Sequence, residues 1–211
     1  MALQPYATLA QVRAQLQLAV GETDNDTFIT NELGRVSSEI DTWMGWTLRA
    51  DDTDPTITEV LDSPPGENLY LETAGFVETL TTVKEDAAHV FTGSNVTTLT
   101  VNEDFVLYAK RGLLKRINSR WLTGFKVVQV VYEGGYLTPD ANGGGATVAM
   151  PTDVVNAAIQ EVIARMKTRD LQGFRSISDD AGNVSAIETE GLLEQTMNRL
   201  SPYSKSHKVY V

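Results

Sequence analysis

The chain holds two histidines, His89 and His207, and no cysteine. Chemistry that needs a thiolate, a disulfide or a cysteine-held zinc is excluded. The two imidazoles fall in different segments, one of them in the tail, so their spacing builds neither a metal site nor an acid–base pair. The stretch SISDDAGNVS at 176–185 has part of the acid spacing of a calcium loop but lacks the closing bidentate glutamate, and reads as a polar solvated loop. NGGGA at 142–146 has neither the Gly-Lys-Ser/Thr ending of a phosphate loop nor GxGxxG spacing, and reads as a flexible connector. Asp51, Asp52 and Asp54 form an acidic turn. A hydrolase would have to draw an acid pair from 21–62, where the sequence supplies no partner base. No cofactor and no metal is implied, and the chain reads as a non-enzyme.

The charged stretch that carries most information is KRGLLKRINSRWLTGFK, residues 110–126. One reading is a solvated hairpin edge, where Lys and Arg discourage edge-to-edge pairing. The other makes Lys110, Arg111, Lys115, Arg116, Arg120 and Trp121 a contact for a neighbouring acidic subunit or for passing DNA. The charge distribution favours the subunit. Residues 21–62 carry eleven acids against Arg35 and Arg49, a balance of −9, and residues 63–104 carry seven against Lys84, a balance of −6. Residues 105–135 reverse the sign, with six bases against Glu133. The total of −11 argues against general nucleic-acid affinity, which is driven by phosphate neutralisation. Unlike faces on one chain instead suit contact between copies. The tail SKSHKVYV alternates like a strand without a partner and suits addition to another protein's sheet.

Helical and β elements must position these residues. Thr8 and Gln11 have the spacing of a capping box, ahead of a helix with Leu9, Val12 and Leu16 on one face and Gly21 at its end. Asp24 or Asp26 is expected to cap a second helix, whose apolar stripe is Ile29, Leu33, Val36, Ile40 and Trp43. From 46 to 136 the period changes to short β-branched and aromatic runs separated by turn clusters such as DSPPGEN and TGSN. These predict roughly seven strands in an antiparallel sandwich or small barrel. Helix returns after Pro151, with Val155, Ile159, Val162, Ile163 and Met166 inward, and a short last helix carries Leu192, Leu193, Met197 and Leu200 until Pro202. The expected fold is α+β. Residues 1–48 and 137–203 form a helical core of two N-terminal and two C-terminal helices. Residues 49–136 form an inserted β-domain, and 204–211 an extended tail. At 42% hydrophobic residues the chain can bury a core. No run approaches the twenty apolar residues of a membrane span, and MALQPYATLAQ is not a signal peptide.

The order of these features resembles the head–tail connector (adaptor) family of tailed bacteriophages. The resemblance rests on YATLAQVRAQLQL, on DNDTFITNELGRVSSEIDTWMGW, and on the strand ending Tyr132-x-Gly134-Gly135-Tyr136. It continues with a glycine-rich gap, Pro151-x-Asp153 opening a long helix, and the closing LSPY. It covers roughly 5–48 and 126–204, while the β-segment 49–125 is longer than in compact all-helical members. The resemblance implies a structural virion protein: a homo-oligomeric ring, usually of twelve copies, docked beneath the portal protein at the capsid vertex. Double-stranded DNA would pass transiently and without sequence preference through its centre, and the far face would receive the tail or a stopper protein. The family's C-terminal region reaches toward the portal, which would assign that contact to Tyr203, Lys205, His207, Lys208, Val209, Tyr210 and Val211. An acidic channel wall would let DNA slide. The alternative is a monomeric β-sandwich module that binds carbohydrate or a receptor through Tyr70, Tyr108, Trp121 and Tyr132.

Overall fold

Thr8 accepts the backbone N–H of Gln11 at 3.0 Å, and the Gln11 side chain accepts the N–H of Thr8 at 2.9 Å. This reciprocal capping box starts helix α1, Leu9–Leu16. The helix stops at Gln17 in the left-handed conformation, four residues before the glycine that the sequence offered as its end. Helix α2, Asp26–Met44, begins after Asn25, whose side chain makes no cap, so neither Asp24 nor Asp26 is the N-cap. Ile29, Leu33, Val36 and Ile40 are buried as their spacing predicts, but the last turn buries Met44 and leaves Trp43 partly exposed. The structure, a computed structural model, describes residues 4–50, 56–73, 76–139, 148–169, 176–178, 184–186 and 191–204.

Among these residues the β part holds seven strands: β1 Thr56–Ser63, β2 Asn68–Tyr70, β3 Val77–Glu85, β4 Thr97–Leu99, β5 Phe105–Tyr108, β6 Leu113–Arg116 and β7 Gly124–Gly134. They form two antiparallel sheets, one ordered β1-β7-β3-β4 and the other β2-β6-β5. Both sheets face one apolar cluster that includes Leu61, Leu71, Val83, Phe105, Leu114, Trp121, Val128 and Tyr132. The sheets do not close into a barrel. In β7 the side chains of Val128, Val130 and Tyr132 point inward while Gln129, Val131 and Glu133 alternate outward. β6 corrects the reading of 110–126 as a hairpin edge, because it is the middle strand of its sheet, with β2 on one side and β5 on the other.

The chain returns to the helices after β7. Helix α3, Thr152–Thr168, follows Pro151 and buries Val154, Val155, Ala158, Ile159, Val162 and Ile163. Helix α4, Glu194–Leu200, runs into a 3-10 turn at Ser201–Tyr203 that contains Pro202. A two-stranded pair, β8 Ser176–Ser178 with β9 Val184–Ala186, lies between α3 and α4 in sequence. A second apolar cluster joins α1, α2, α3 and Leu200. Burying one of its large side chains contributes about 1.5–3 kcal/mol.

The seam between the two clusters is built on Gly135. Its φ is +94°, and a Cβ there would lie 2.5 Å from the backbone nitrogen of Ala50. Glycine is required, because two backbones meet at that point and the conformation is left-handed. Gly135 donates its N–H to Phe76 at 3.0 Å, Tyr136 donates to Leu48 at 2.6 Å, and Ala50 donates to Tyr136 at 3.1 Å. The rings of Phe76 and Tyr136 stack over the junction with centroids 4.5 Å apart.

Candidate functional site

The geometry offers surfaces held in register by buried polar clamps. Arg165 on α3 is the hub of the helical clamp. Its guanidinium reaches Glu39 at 2.5 Å, Glu161 at 3.1 Å and Glu32 at 3.5 Å, and donates to the Gly191 carbonyl at 3.2 Å. Burial opposes its charge, but Glu39 and Glu161 outweigh that and hold its pKa above the ordinary arginine value. Glu161 is 1% exposed and accepts the backbone N–H of Leu193 at 3.1 Å and the hydroxyl of Thr196 at 2.8 Å. One carboxylate thereby ties α4 to α3. Asp41 does the same for the N-terminus: Tyr6 donates to it at 2.5 Å and Arg49 pairs with it. Burial, then Asp41, raises the Tyr6 pKa far above its usual value.

Tyr203, expected at the start of a portal-binding tail, is half-buried against the helical cluster. Its carbonyl accepts the indole N–H of Trp46 at 2.8 Å. Burial, and after it Asp153, raises the pKa of its phenol. Ser204 is 3% exposed, so the chain is anchored up to this residue. Lys205, His207, Lys208, Val209, Tyr210 and Val211 lie outside the described residues.

The basic stretch divides in two. Lys110 and Arg111 are exposed on a 3-10 turn, Arg120 is exposed beyond β6, and Lys115 is half exposed, 3.8 Å from Glu67. Arg116 turns inward instead: its side chain is 11% exposed, 3.6 Å from Glu85 and stacked over the Trp121 ring at 5.3 Å. Trp121 is 2% exposed and donates its indole N–H to the Glu67 carbonyl at 2.7 Å. Neither of these two offers a surface. The aromatic set of a sugar-binding face does not assemble either. Trp121 and Tyr132 are core residues, Tyr70 is half-buried, and Tyr108 stands exposed on β5.

Other residues singled out by type stay apart. The His89 ring lies 3.1 Å from the Lys126 carbonyl. Among the described residues no group of three His, Asp or Glu is placed to hold a metal. Asp51, Asp52, Asp54, the residues 142–146, and those between β8 and β9 lie outside the description. Sequence reasoning passed over the buried carboxylates Glu59 and Glu161. Glu161 sits at the inward spacing of α3, between Ala158 and Val162, which is the signal that marks it.

Two solved structures share the arrangement. The neck of an empty GTA particle computed with C6 symmetry superposes with a TM-score of 0.51 at 14% identity, covering 97% of this chain and 95% of that one. The neck of a native GTA particle computed with C12 symmetry gives 0.50 at 16% identity, again over 97% and 95%. This chain shares its fold with a chain of those necks. No protein-family model and no curated protein matches the sequence. The likeness spans the β part as well as the helices, so the shared fold includes the segment 49–125 that the sequence resemblance left aside.

Proposed function

We propose that the chain is a structural component of the neck of a phage-like particle, assembled as a ring beneath the portal. It joins capsid to tail and lets double-stranded DNA pass through a central channel, with no catalytic step. The observation that carries this reading is the likeness to neck structures over nearly the whole of both chains. The clamps at Glu161, Asp41 and Gly135 support it, because they hold surfaces in fixed relation. The net charge of −11 suits a channel past which DNA slides.

Within this reading the exposed Lys110, Arg111, Lys115 and Arg120 face an acidic neighbour, and the chain beyond Ser204 docks to the portal. Head-to-tail rings need two different complementary faces per subunit, and the charge reversal along the chain supplies them. Mass measurement under native conditions, alone and with the portal protein, is the test. A closed oligomer or a portal-bound ring is expected. A protein that stays monomeric, ignores the portal and binds sugars would sink the proposal.

A further inference from the structure

The chain crosses between the helical part and the β part twice, and the two crossings lie side by side. Outbound, residues 46–50 leave the end of α2, and Thr47 donates its N–H at 3.3 Å to the carbonyl of Thr73, whose own N–H is held by Glu59. Returning, residues 134–137 leave β7. Arg49 and Tyr136 bridge the crossings in parallel, with Tyr136 donating to Leu48 and Ala50 to Tyr136.

Two adjacent backbone segments of this kind make a hinge. The bonds between them run along one short line, and a bend about that line disturbs few others. Little else joins the two parts among the described residues. Their apolar clusters share no residue, and no helix packs broadly against a strand of either large sheet. Parts of a chain joined without a large apolar interface move relative to one another by default.

The 3-10 turn after α4 lies across this hinge and is fixed at both ends. Leu200 is fully buried in the helical cluster. Ser204, also buried, donates its N–H at 3.1 Å and its hydroxyl at 3.0 Å to the Ser201 carbonyl. Between them Tyr203 reaches both crossings. Its carbonyl takes the indole N–H of Trp46, the first residue of the outbound one, at 2.8 Å. Its ring and that of Tyr136, on the return, both pack against the helical cluster. They are near enough that, after burial, the Tyr203 phenol is what raises the Tyr136 pKa.

We infer that residues 200–204 are a strap that locks the hinge between the two parts. While Tyr203 is seated, the β part is held at one angle to the helices; when it lifts, the crossings loosen and the β part swings. A partner that grips the chain beyond Ser204, as the portal does in the reading above, would act on the β part through this strap. The strap itself needs no partner, so its failure leaves the neck reading standing.

Two variants of the full chain lift the strap from different sides: Tyr203→Ala removes the ring, and Trp46→Phe removes the indole N–H. Either is expected to speed hydrogen exchange at the amides of Ala50, Gly135 and Tyr136 by about tenfold, the worth of one lost hydrogen bond, while the middle of β7 keeps its protection. The chain has no native cysteine, so spin labels on Ser38→Cys in α2 and Thr98→Cys in β4, both exposed, read the angle directly. A narrow distance distribution is expected for the parent and a broadened one for each strap variant. Ile29→Val thins the helical cluster at the other end of α2 and should leave both readouts as in the parent. Unchanged exchange and an unchanged distribution in both strap variants overturn the inference, as does a broadening that Ile29→Val matches.

Discussion

Each part of the molecule buries a glutamate and uses it to hold a segment distant in sequence, but the two satisfy the charge differently. In the helices Glu161 is paired with Arg165, which also gathers Glu39 and Glu32. In the β part Glu59, 6% exposed, accepts the N–H groups of Glu72 and Thr73, each at 2.8 Å, and the phenol hydroxyl of Tyr132. No cation pairs with Glu59 among the described residues. Helices leave backbone donors free only at their first turn, so Glu161 takes one N–H at the start of α4 and a hydroxyl, and the Arg165 charge completes its set. A sheet margin has spare backbone N–H groups, and dipoles suffice. The helical clamp therefore depends on charge, and the β clamp on backbone geometry.

The seam tests whether these parts are independent. Gly135→Ala would drive a Cβ into the Ala50 backbone at a left-handed φ, and a loss of about 4 kcal/mol is expected in chemical denaturation. If the two parts then unfold in separate transitions, the seam is what couples them. Glu161→Ala should cost about 3 kcal/mol, because it leaves Arg165 short of a partner and frees the N–H of Leu193 and the hydroxyl of Thr196. Hydrogen exchange is expected to rise in α4 and not in the sheets.

Tyr132→Phe should cost about 1 kcal/mol, since Glu59 keeps its two backbone donors. A loss as large as that of Glu161→Ala would break the contrast between the clamps. A pH titration sharpens it further. The N–H groups of Ala88, Phe91 and Val90 hold the Asp86 carboxyl below the usual carboxylate range. A lowered folded pKa contributes stability above the unfolded value of about 3.9, which is lost as pH falls toward the folded pKa. Asp86→Asn should thus be less stable than the parent near neutrality, and the difference should shrink below about pH 4. A difference that persists in acid would refute the assignment. Lys115→Ala, which removes an exposed pair with Glu67, should change stability by no more than about 0.5 kcal/mol.

The elements with a clean period were legible in the sequence. The Ile29–Ile40 stripe of α2, the inward set of α3 and the alternation of β7 follow from which faces bury apolar area, and local spacing encodes that. Helix ends were less so: α1 stops at Gln17 and not at Gly21, because termination depends on which residue takes the left-handed turn. Trp43 fits the stripe by spacing yet lies at its margin, and Met44 takes the inward place in the last turn. β6 was hidden because Lys115 and Arg116 mask a strand whose middle position only sheet pairing reveals. Of the candidate contacts, the exposed lysines and arginines were legible as charge. The inward turn of Arg116 was not, since the adjacent bases Lys115 and Arg116 look alike in sequence whichever way they point, nor was the burial of Trp121.

By itself the sequence determined the class: helices flanking a β-segment, with no thiol chemistry, a charge reversal between segments, and a glycine pair where the strand returns. These follow from composition and local periodicity, which act within a few residues. Only the tertiary structure decided that Gly135 meets Ala50 and that Glu161 and Glu59 are clamps. Those facts depend on residues tens of positions apart meeting in space, and contact of that kind exists only once the chain has folded.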